Sequence, residues 1–289
     1  LQKAGHGDLV ETEDGRIYSV FLVGRPLSKR GRCITGRETA IEELEWREDD
    51  WLYAKAGRIP RKEVELPDLA EHPFPKEPKR DDFDSEELNI HFQSLRVPMN
   101  EDWVSLKARP GFVRLKGRES LSSFHYQSLI ARRVQEKYIR ASTLIEFEPE
   151  DYQQMAGLVC YYNTYHWHYL YIYGEGGEKR LNIISCDKHQ SSEPLGSPLF
   201  LGNQERVVLG VEFEGARLQF YCREEEGVWE KVGPVLDGSI LSDDYVQDAA
   251  NRYRPAFTGA FVGIACQDLS GRKLHADFDW FEYEELSKD

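Results

Sequence analysis

The sequence has 289 residues, which is enough for one large or two ordinary domains. Its composition, 40% hydrophobic and 30% charged, is typical of a globular protein, and its net charge of −14 argues against a nucleic-acid-binding surface, which needs a basic stripe. The sequence contains no run of 18 apolar residues, so it predicts no membrane span and no membrane partner.

The first 56 residues are predicted to form short strands joined by tight turns. Residues 7–12 and 17–22 flank an Asp14-Gly15 pair, which is typical of a hairpin turn, and two further strands follow at 39–46 and 51–53. Four such strands make up one blade of a β-propeller, and one blade cannot bury both of its faces. Because the sequence also starts without Met, we expect this region to be the truncated end of a larger domain.

The rest of the sequence is predicted to be a linker and a second domain. Residues 57–81 alternate Pro with charge and predict a linker. Strand patterns return over residues 82–289, for example the clean alternation at 141–147, and only residues 148–154 and 243–250 are predicted to be helical. A dozen or so strands with almost no helical period indicate an all-β sandwich of two sheets, as in a jelly roll.

Five cysteines are spread through the sequence without a C-x-x-C pair. Four of them stand in apolar or alternating stretches, where a free thiol acts as a small hydrophobic side chain. This pattern predicts neither a disulfide framework nor a zinc site, so we expect a reducing compartment and a cytoplasmic protein. The cysteines are Cys33, Cys160, Cys186, Cys222 and Cys266.

Two candidate functional residues lie in the first 56 residues. His6 stands between Gly5 and Gly7, where a sharply bent backbone can present an imidazole, although a histidine that caps a turn is the more common arrangement. Arg37 precedes a predicted strand, and its guanidinium could bind vicinal hydroxyls or a carboxylate in a cleft. The alternative for Arg37 is a structural ion pair with Glu38 or another acidic neighbour.

A third candidate, Phe257, lies in a loop between Pro255 and Gly259, just before a predicted strand. It could stack on a sugar or seal a site, although a ring tucked into the rim of the sandwich is the more ordinary arrangement. Asp277 and Asp279 alternate on one face of their strand, where a solvated face is the ordinary interpretation. No nucleophile elbow, phosphate loop, H-E-x-x-H motif or dinucleotide fingerprint is present.

The segments around His6, Arg37 and Phe257 together resemble glycoside hydrolase family 43, specifically its two-domain bacterial β-xylosidases, and the likeness extends over nearly the full sequence. The likeness is strongest at Lys3-Ala4-Gly5-His6-Gly7-Asp8-Leu9-Val10-Glu11-Thr12, Gly24-Arg25-Pro26-Leu27, Gly36-Arg37-Glu38-Thr39-Ala40-Ile41 and Phe257-Thr258-Gly259-Ala260-Phe261-Val262-Gly263 with Gln267-Asp268. The resemblance implies the C-terminal blades of a five-bladed β-propeller catalytic domain over residues 1–56, the linker at 57–81, and a concanavalin-like β-sandwich over 82–289.

The resemblance also implies roles for the three candidates. Arg37 matches the family arginine that contacts the glycone hydroxyls and the catalytic base. His6 matches a histidine near the propeller centre, which holds a water or, in some members, a divalent cation. Phe257 is similar to the sandwich residue that closes a pocket one sugar deep. The general acid and base of the family come from earlier blades, so we assign no catalytic acid or base to this sequence.

The sequence therefore predicts the C-terminal part of an inverting exo-glycoside hydrolase that releases xylose, and α-L-arabinofuranose in many members, from xylo-oligosaccharides. The alternative is a non-catalytic carbohydrate-binding β-sandwich. The expected partners are a xylo-oligosaccharide and the missing N-terminal part of the propeller, and we expect the full-length protein to be a homo-oligomer. No cofactor is expected apart from a divalent cation near His6.

Overall fold

The first 54 residues form a four-stranded antiparallel sheet in which each strand pairs with the next. The computed structural model describes residues 1–65, 68–249 and 256–287. The predicted hairpin turn is present, because Gly15 has a φ of +80° and its N–H donates to the Thr12 carbonyl at 2.8 Å. The strands of this first sheet are β1 (Gln2–Glu11), β2 (Ile17–Gly24), β3 (Glu38–Trp46) and β4 (Leu52–Ala54).

The first sheet leaves large apolar side chains in solvent. Leu9, Trp46 and Trp51 are 58%, 63% and 71% exposed, respectively. An exposed apolar surface of this kind is typical of a face that another element covers. The assignment of the sheet to a propeller stays a prediction.

No strand is present among the described residues between Ala54 and Arg80. Arg80 and Asp81 form the short strand β5, which pairs with the last strand of the chain. The final two residues of the predicted linker therefore already belong to the second sheet system, while the domain boundaries themselves stay a prediction.

Two further sheets of eight strands each, counted over the described residues, form a β-sandwich. This confirms the all-β prediction and the two-sheet architecture. The first sandwich sheet contains β5 (Arg80–Asp81), β7 (Val104–Ser105), β8 (Val113–Lys116), β10 (Tyr138–Glu146), β16 (Arg206–Glu214), β17 (Arg217–Glu224), β18 (Glu230–Asp237) and β20 (His275–Glu285). The second contains β6 (Gln93–Ser94), β9 (Ser128–Arg133), β11 (Gln154–Asn163), β12 (His166–Glu175), β13 (Glu178–Asp187), β14 (Gln190–Ser192), β15 (Leu199–Gly202) and β19 (Phe261–Asp268).

The core lies between the two sandwich sheets and follows the alternation of their strands. Val207, Leu209, Val211 and Phe213 of β16 are all buried in it, whereas Val208 lies on the other face of the sheet, in a separate buried cluster with Leu144 and Trp280. Full burial of such a side chain stabilises the fold by about 1.5–3 kcal/mol. The alternation therefore fixes which face of each strand points inward.

Among the residues that the structure describes, helical structure is confined to the segment between β18 and β19. A 3₁₀ turn, Gly238–Leu241, leads into the helix α1 (Asp243–Ala249), which confirms the prediction for 243–250 as far as it is described. The predicted helix at 148–154 is wrong. The Asp151 carboxylate accepts a hydrogen bond from the Gln153 N–H at 2.8 Å, and this local turn competes with a helix and leads directly into β11.

Candidate functional site

The loop between β2 and β3, residues 25–37, is inserted into the sandwich. Ile34 is completely buried in the sandwich core, and its carbonyl accepts the Ala260 N–H at 2.7 Å. The Arg133 guanidinium donates to the carbonyls of Thr35 at 2.7 Å and Arg37 at 3.0 Å. The loop is therefore a fixed part of the junction between the first sheet and the sandwich.

Two glycines allow the closest approach at this junction. Gly36 and Gly259 have φ values of +70° and +71°, which side-chain-bearing residues rarely adopt. A Cβ atom on Gly36 would lie 2.6 Å from the Gly259 nitrogen, and one on Gly259 would lie 2.4 Å from the Gly36 nitrogen. The two loops therefore touch backbone to backbone, which positions the residues that follow Gly36 and precede Gly259.

Arg37 and Phe257 meet at this contact. The Arg37 N–H donates to the Phe257 carbonyl at 3.1 Å, and the guanidinium carbon lies 5.1 Å from the Phe257 ring centroid. At this distance the cation interacts favourably with the ring. The ring itself remains 44% exposed, so it is not tucked into the rim of the sandwich.

The acidic partner of Arg37 is Asp243, at the start of α1, rather than Glu38. The Arg37 guanidinium forms an ion pair with Asp243, with side chains 10% and 0% exposed, while Glu38 accepts hydrogen bonds from Arg25 at 2.9 Å. Arg37 therefore forms the structural ion pair that was considered as an alternative, with Asp243 as the acidic neighbour. The Arg37 Nε is buried and has no hydrogen-bond partner among the described residues.

Asp243 also accepts hydrogen bonds from the Tyr162 hydroxyl at 2.7 Å and the Gly259 N–H at 3.0 Å. Burial raises the pKa of Asp243, while the two hydrogen bonds and the charge of Arg37 oppose that rise. Burial and the neighbouring carboxylate likewise raise the pKa of Tyr162. Asp243 therefore ties the guanidinium, the second sandwich sheet and the loop after α1 together.

His6 stands apart from the Arg37–Phe257 contact. It lies in an irregular stretch of β1, where the register shifts between Gly5 and Asp8, and it has a φ of +48° with an exposed side chain. Among the described residues it makes no hydrogen bond or ion pair, and no three His, Cys, Asp or Glu side chains converge there as metal ligands. His6 could contribute one ligand, so these residues alone do not fit a divalent cation site.

The remaining sequence features have structural partners. Asp277 accepts hydrogen bonds from Arg109 at 3.0 Å and Arg114 at 2.6 Å, and Asp279 pairs with Arg206. All five cysteines are free, and four of them are buried. Pro255, which stands just before the Phe257 loop in the sequence, lies outside the described residues. In the described parts of the chain, no helix is long and apolar enough to cross a bilayer.

Sequence reasoning did not identify Asp243 or Tyr162 as parts of the site. Each lies far from Arg37 along the chain, and neither belongs to a short motif. The only local signal was the helix predicted to begin at Asp243. A carboxylate at the start of a helix is common, so that signal does not distinguish a site from an ordinary helix start.

Two family models match the chain. The model described as "Glycosyl hydrolases family 43" matches residues 1–52, and the model described as "Beta xylosidase C-terminal Concanavalin A-like domain" matches residues 80–284. These matches support the sandwich assignment and give its architecture as concanavalin A-like.

Individual proteins are similar along almost the whole chain. The xylosidase/arabinosidase 43B of Humicola insolens is 42% identical over 98% of this chain and 53% of its own length, and the β-xylosidase of Bacillus subtilis (strain 168) is 38% identical over 99% and 54%. The crystal structure of the xylan β-1,4-xylosidase from Bacillus halodurans C-125 superposes with a TM-score of 0.93 at 45% identity, covering 99% of this chain and 54% of that one. The chain therefore spans about half the length of the relatives it matches.

Proposed function

Because the chain belongs to glycoside hydrolase family 43, we propose that it is the C-terminal part of an inverting exo-glycoside hydrolase acting on xylo-oligosaccharides. Its product would be xylose, and α-L-arabinofuranose where the substrate bears it. The names of the relatives, which include a xylosidase/arabinosidase and β-xylosidases, support this substrate class. The observation that carries the proposal is the contact of Arg37 with Phe257 across the junction.

In this proposal Arg37 and Phe257 complete the sugar pocket. The Arg37 side chain keeps 10% of its surface exposed at this contact, and a guanidinium fork suits adjacent sugar hydroxyls or a carboxylate. The half-exposed Phe257 ring presents an apolar surface beside it. A ring that closes one end of a pocket admits only a chain end, which would make the enzyme exo-acting. His6 would line the same pocket from the propeller side.

The chemical step would come from residues outside this chain. Inversion requires one carboxylate that activates water and a carboxylic acid that protonates the leaving oxygen, about 6.5–9.5 Å apart. At the described junction the buried carboxylate Asp243 is already bound to Arg37, Tyr162 and Gly259, so it is a positioning residue. We propose that the acid and base belong to earlier propeller blades and that β1 to β4 form the last blade, with Trp46 and Trp51 available to neighbouring elements.

Activity of a longer protein that includes the preceding propeller segment tests this proposal. Arg37→Met should lower kcat/KM for 4-nitrophenyl β-xyloside by about 100-fold, because a charged hydrogen bond to the reacting sugar is lost. Arg206→Met is the matched control, since Arg206 forms its ion pair with Asp279 in the first sandwich sheet, and we expect it to retain the parent value. Equal losses in the two variants would contradict the proposed role of Arg37.

The non-catalytic alternative makes a different prediction for the 289-residue chain on its own. If the chain is a carbohydrate-binding module, it should bind xylohexaose with a Kd of about 100 μM or tighter. If it only completes a pocket, it should not bind xylohexaose with this affinity, because the rest of the pocket is missing. Isothermal titration of xylohexaose into the chain measures this Kd. Tight binding would favour the alternative.

A further inference from the structure

The buried carboxylate of Asp243 uses its two oxygens for different partners. Oδ1 accepts hydrogen bonds from the Tyr162 hydroxyl at 2.7 Å and the Gly259 N–H at 3.0 Å. Oδ2 accepts a hydrogen bond from Nη1 of Arg37. The Asp243 side chain is completely buried, so water does not compete for either oxygen. The two donors on Oδ1 therefore determine the direction in which Oδ2 faces Arg37.

The ion pair with Asp243 does not by itself fix the orientation of the Arg37 guanidinium. When an arginine and a carboxylate form two parallel hydrogen bonds, those bonds set the relative orientation of both groups. Between Arg37 and Asp243 the structure instead shows a single hydrogen bond, from Nη1 to Oδ2. The orientation of the guanidinium therefore depends on how firmly the carboxylate is held on its other side.

The backbone that carries Asp243 is held independently of its carboxylate. The Asp243 N–H donates to the Cys33 carbonyl at 3.4 Å. The next residue, Asp244, accepts the Cys33 N–H at 2.9 Å and forms an ion pair with Lys3 of β1. Loss of the Tyr162 hydroxyl should therefore free the carboxylate to rotate while the start of α1 stays in place.

Tyr162 is a fixed part of the sandwich. It belongs to β11, and its ring is buried in the core between the two sandwich sheets. Burial and the neighbouring carboxylate raise the pKa of Tyr162, so its hydroxyl keeps the proton that it donates to Asp243. Because close packing holds a core ring in one position, the hydroxyl is presented to the carboxylate from a fixed point.

We propose that Tyr162 is a positioning residue for hydrolysis, which orients the Asp243 carboxylate and, through it, the Arg37 guanidinium. This inference rests on the proposed function, because it requires Arg37 to contact the sugar. It gives the sandwich a second part in the reaction besides the ring of Phe257. The packing of the sandwich core then determines the orientation of an arginine that precedes β3 of the first sheet.

The test is Tyr162→Phe in the longer protein that includes the preceding propeller segment. The substitution keeps the ring and removes the hydroxyl. We expect kcat/KM for 4-nitrophenyl β-xyloside to fall by about 10-fold, because the guanidinium is no longer held in one orientation.

Tyr161→Phe is the matched control. Tyr161 precedes Tyr162 in β11, and its ring is buried in a separate cluster. Its hydroxyl donates to the Leu121 carbonyl at 3.3 Å, so the control also removes one buried hydroxyl from a hydrogen bond. It should keep the parent kcat/KM, and a loss equal to that of Tyr162→Phe would overturn the inference.

A double-mutant cycle separates positioning from general structural damage. If Tyr162 acts through Arg37, Tyr162→Phe should cause no further loss of kcat/KM once Arg37→Met has removed the guanidinium. A loss of about 10-fold in both backgrounds would overturn the inference, because Tyr162 would then act independently of Arg37. An unchanged kcat/KM for Tyr162→Phe in the parent background would overturn it as well.

The same measurements separate this inference from the function on which it rests. A loss of activity in Arg37→Met without any loss in Tyr162→Phe would overturn the positioning role and leave the proposed function intact. If Arg37→Met keeps the parent kcat/KM, or if the parent protein does not hydrolyse 4-nitrophenyl β-xyloside, the proposed function fails and the inference fails with it. Melting temperatures of Tyr162→Phe and Tyr161→Phe, expected to lie above the assay temperature, check that both variants are folded.

Discussion

Arg37 and Phe257 are joined twice, once through the backbone and once through their side chains. The Arg37 N–H donates to the Phe257 carbonyl at 3.1 Å, and the guanidinium carbon lies 5.1 Å from the ring centroid. One residue comes from the loop after β2 and the other from the loop before β19. A displacement of either loop therefore changes the position of both side chains.

Phe257→Ala should separate a role in catalysis from a role in folding. The ring is 44% exposed, so its removal should change the free energy of unfolding of the 289-residue chain by less than about 1 kcal/mol. In the longer protein, the same change should lower kcat/KM for 4-nitrophenyl β-xyloside by about 10-fold or more, because one wall of the pocket is lost. Phe200→Ala, at an exposed phenylalanine of β15, is the control and should affect neither quantity. Full activity of Phe257→Ala would contradict the pocket-closing role.

Asp243→Asn should destabilise the junction. The substitution keeps the volume of the side chain but leaves the buried Arg37 without a carboxylate partner, which costs about 3 kcal/mol of unfolding free energy. Urea unfolding of the 289-residue chain measures this. Asp279→Asn is the control, because its ion pair with Arg206 is partly exposed and should contribute less than about 1 kcal/mol. Similar losses of unfolding free energy in the two variants would contradict the larger contribution that we expect from the buried Arg37–Asp243 pair.

Gly36→Ala should lower the free energy of unfolding by more than left-handed strain alone. A Cβ atom there lies 2.6 Å from the backbone of Gly259, so the two loops must separate. Gly176→Ala is the matched control, because Gly176 has a φ of +63° and open space around its Cβ position, so only strain of about 1–3 kcal/mol applies. Equal losses, measured by urea unfolding, would contradict the close backbone contact.

Two buried histidines predict a loss of stability in mild acid. His166 and His168 lie on β12, and burial lowers the pKa of each from 6.5 to about 4. Between these values the unfolded chain binds more protons than the folded chain, so the free energy of unfolding falls as the pH falls from 6.5 towards 4. Below about pH 4 these two groups cause no further loss.

The variant His168→Gln tests the assignment of this pH dependence. It removes one of the two titrating groups, so the slope of unfolding free energy against pH between 6.5 and 4 should decrease. Urea unfolding at several pH values in this range gives the slope. An unchanged slope would show that other groups cause the acid sensitivity.

The strands that the sequence predicted best have a clear turn signal or an alternation of apolar and polar residues. β1 and β2 were identified from Asp14-Gly15, and β10 from its alternation. β13 is also buried on both faces, but its adjacent Ile183 and Ile184 interrupt the alternation, so the sequence shows no comparable strand pattern there. The resemblance to glycoside hydrolase family 43, inferred from short motifs, is confirmed by the family models.

The candidate site was only partly predictable for a different reason. The motifs identified Arg37 and Phe257, but their contact depends on the left-handed backbone of Gly36 and Gly259, which brings together loops more than 200 residues apart in the chain. Asp243 has no sequence motif at all, since its partner lies 206 residues away. Long-range pairs of this kind are determined by the packing of the sandwich on the first sheet.

The division of the active site between this chain and a preceding segment is tested most directly by one assay. Release of nitrophenol from 4-nitrophenyl β-xyloside is measured for the 289-residue chain and, in parallel, for a protein extended upstream to include the preceding propeller segment. We expect no turnover above background by the 289-residue chain and clear turnover by the extended protein. Clear turnover by the 289-residue chain alone would contradict the account, because the acid and base would then have to lie within it.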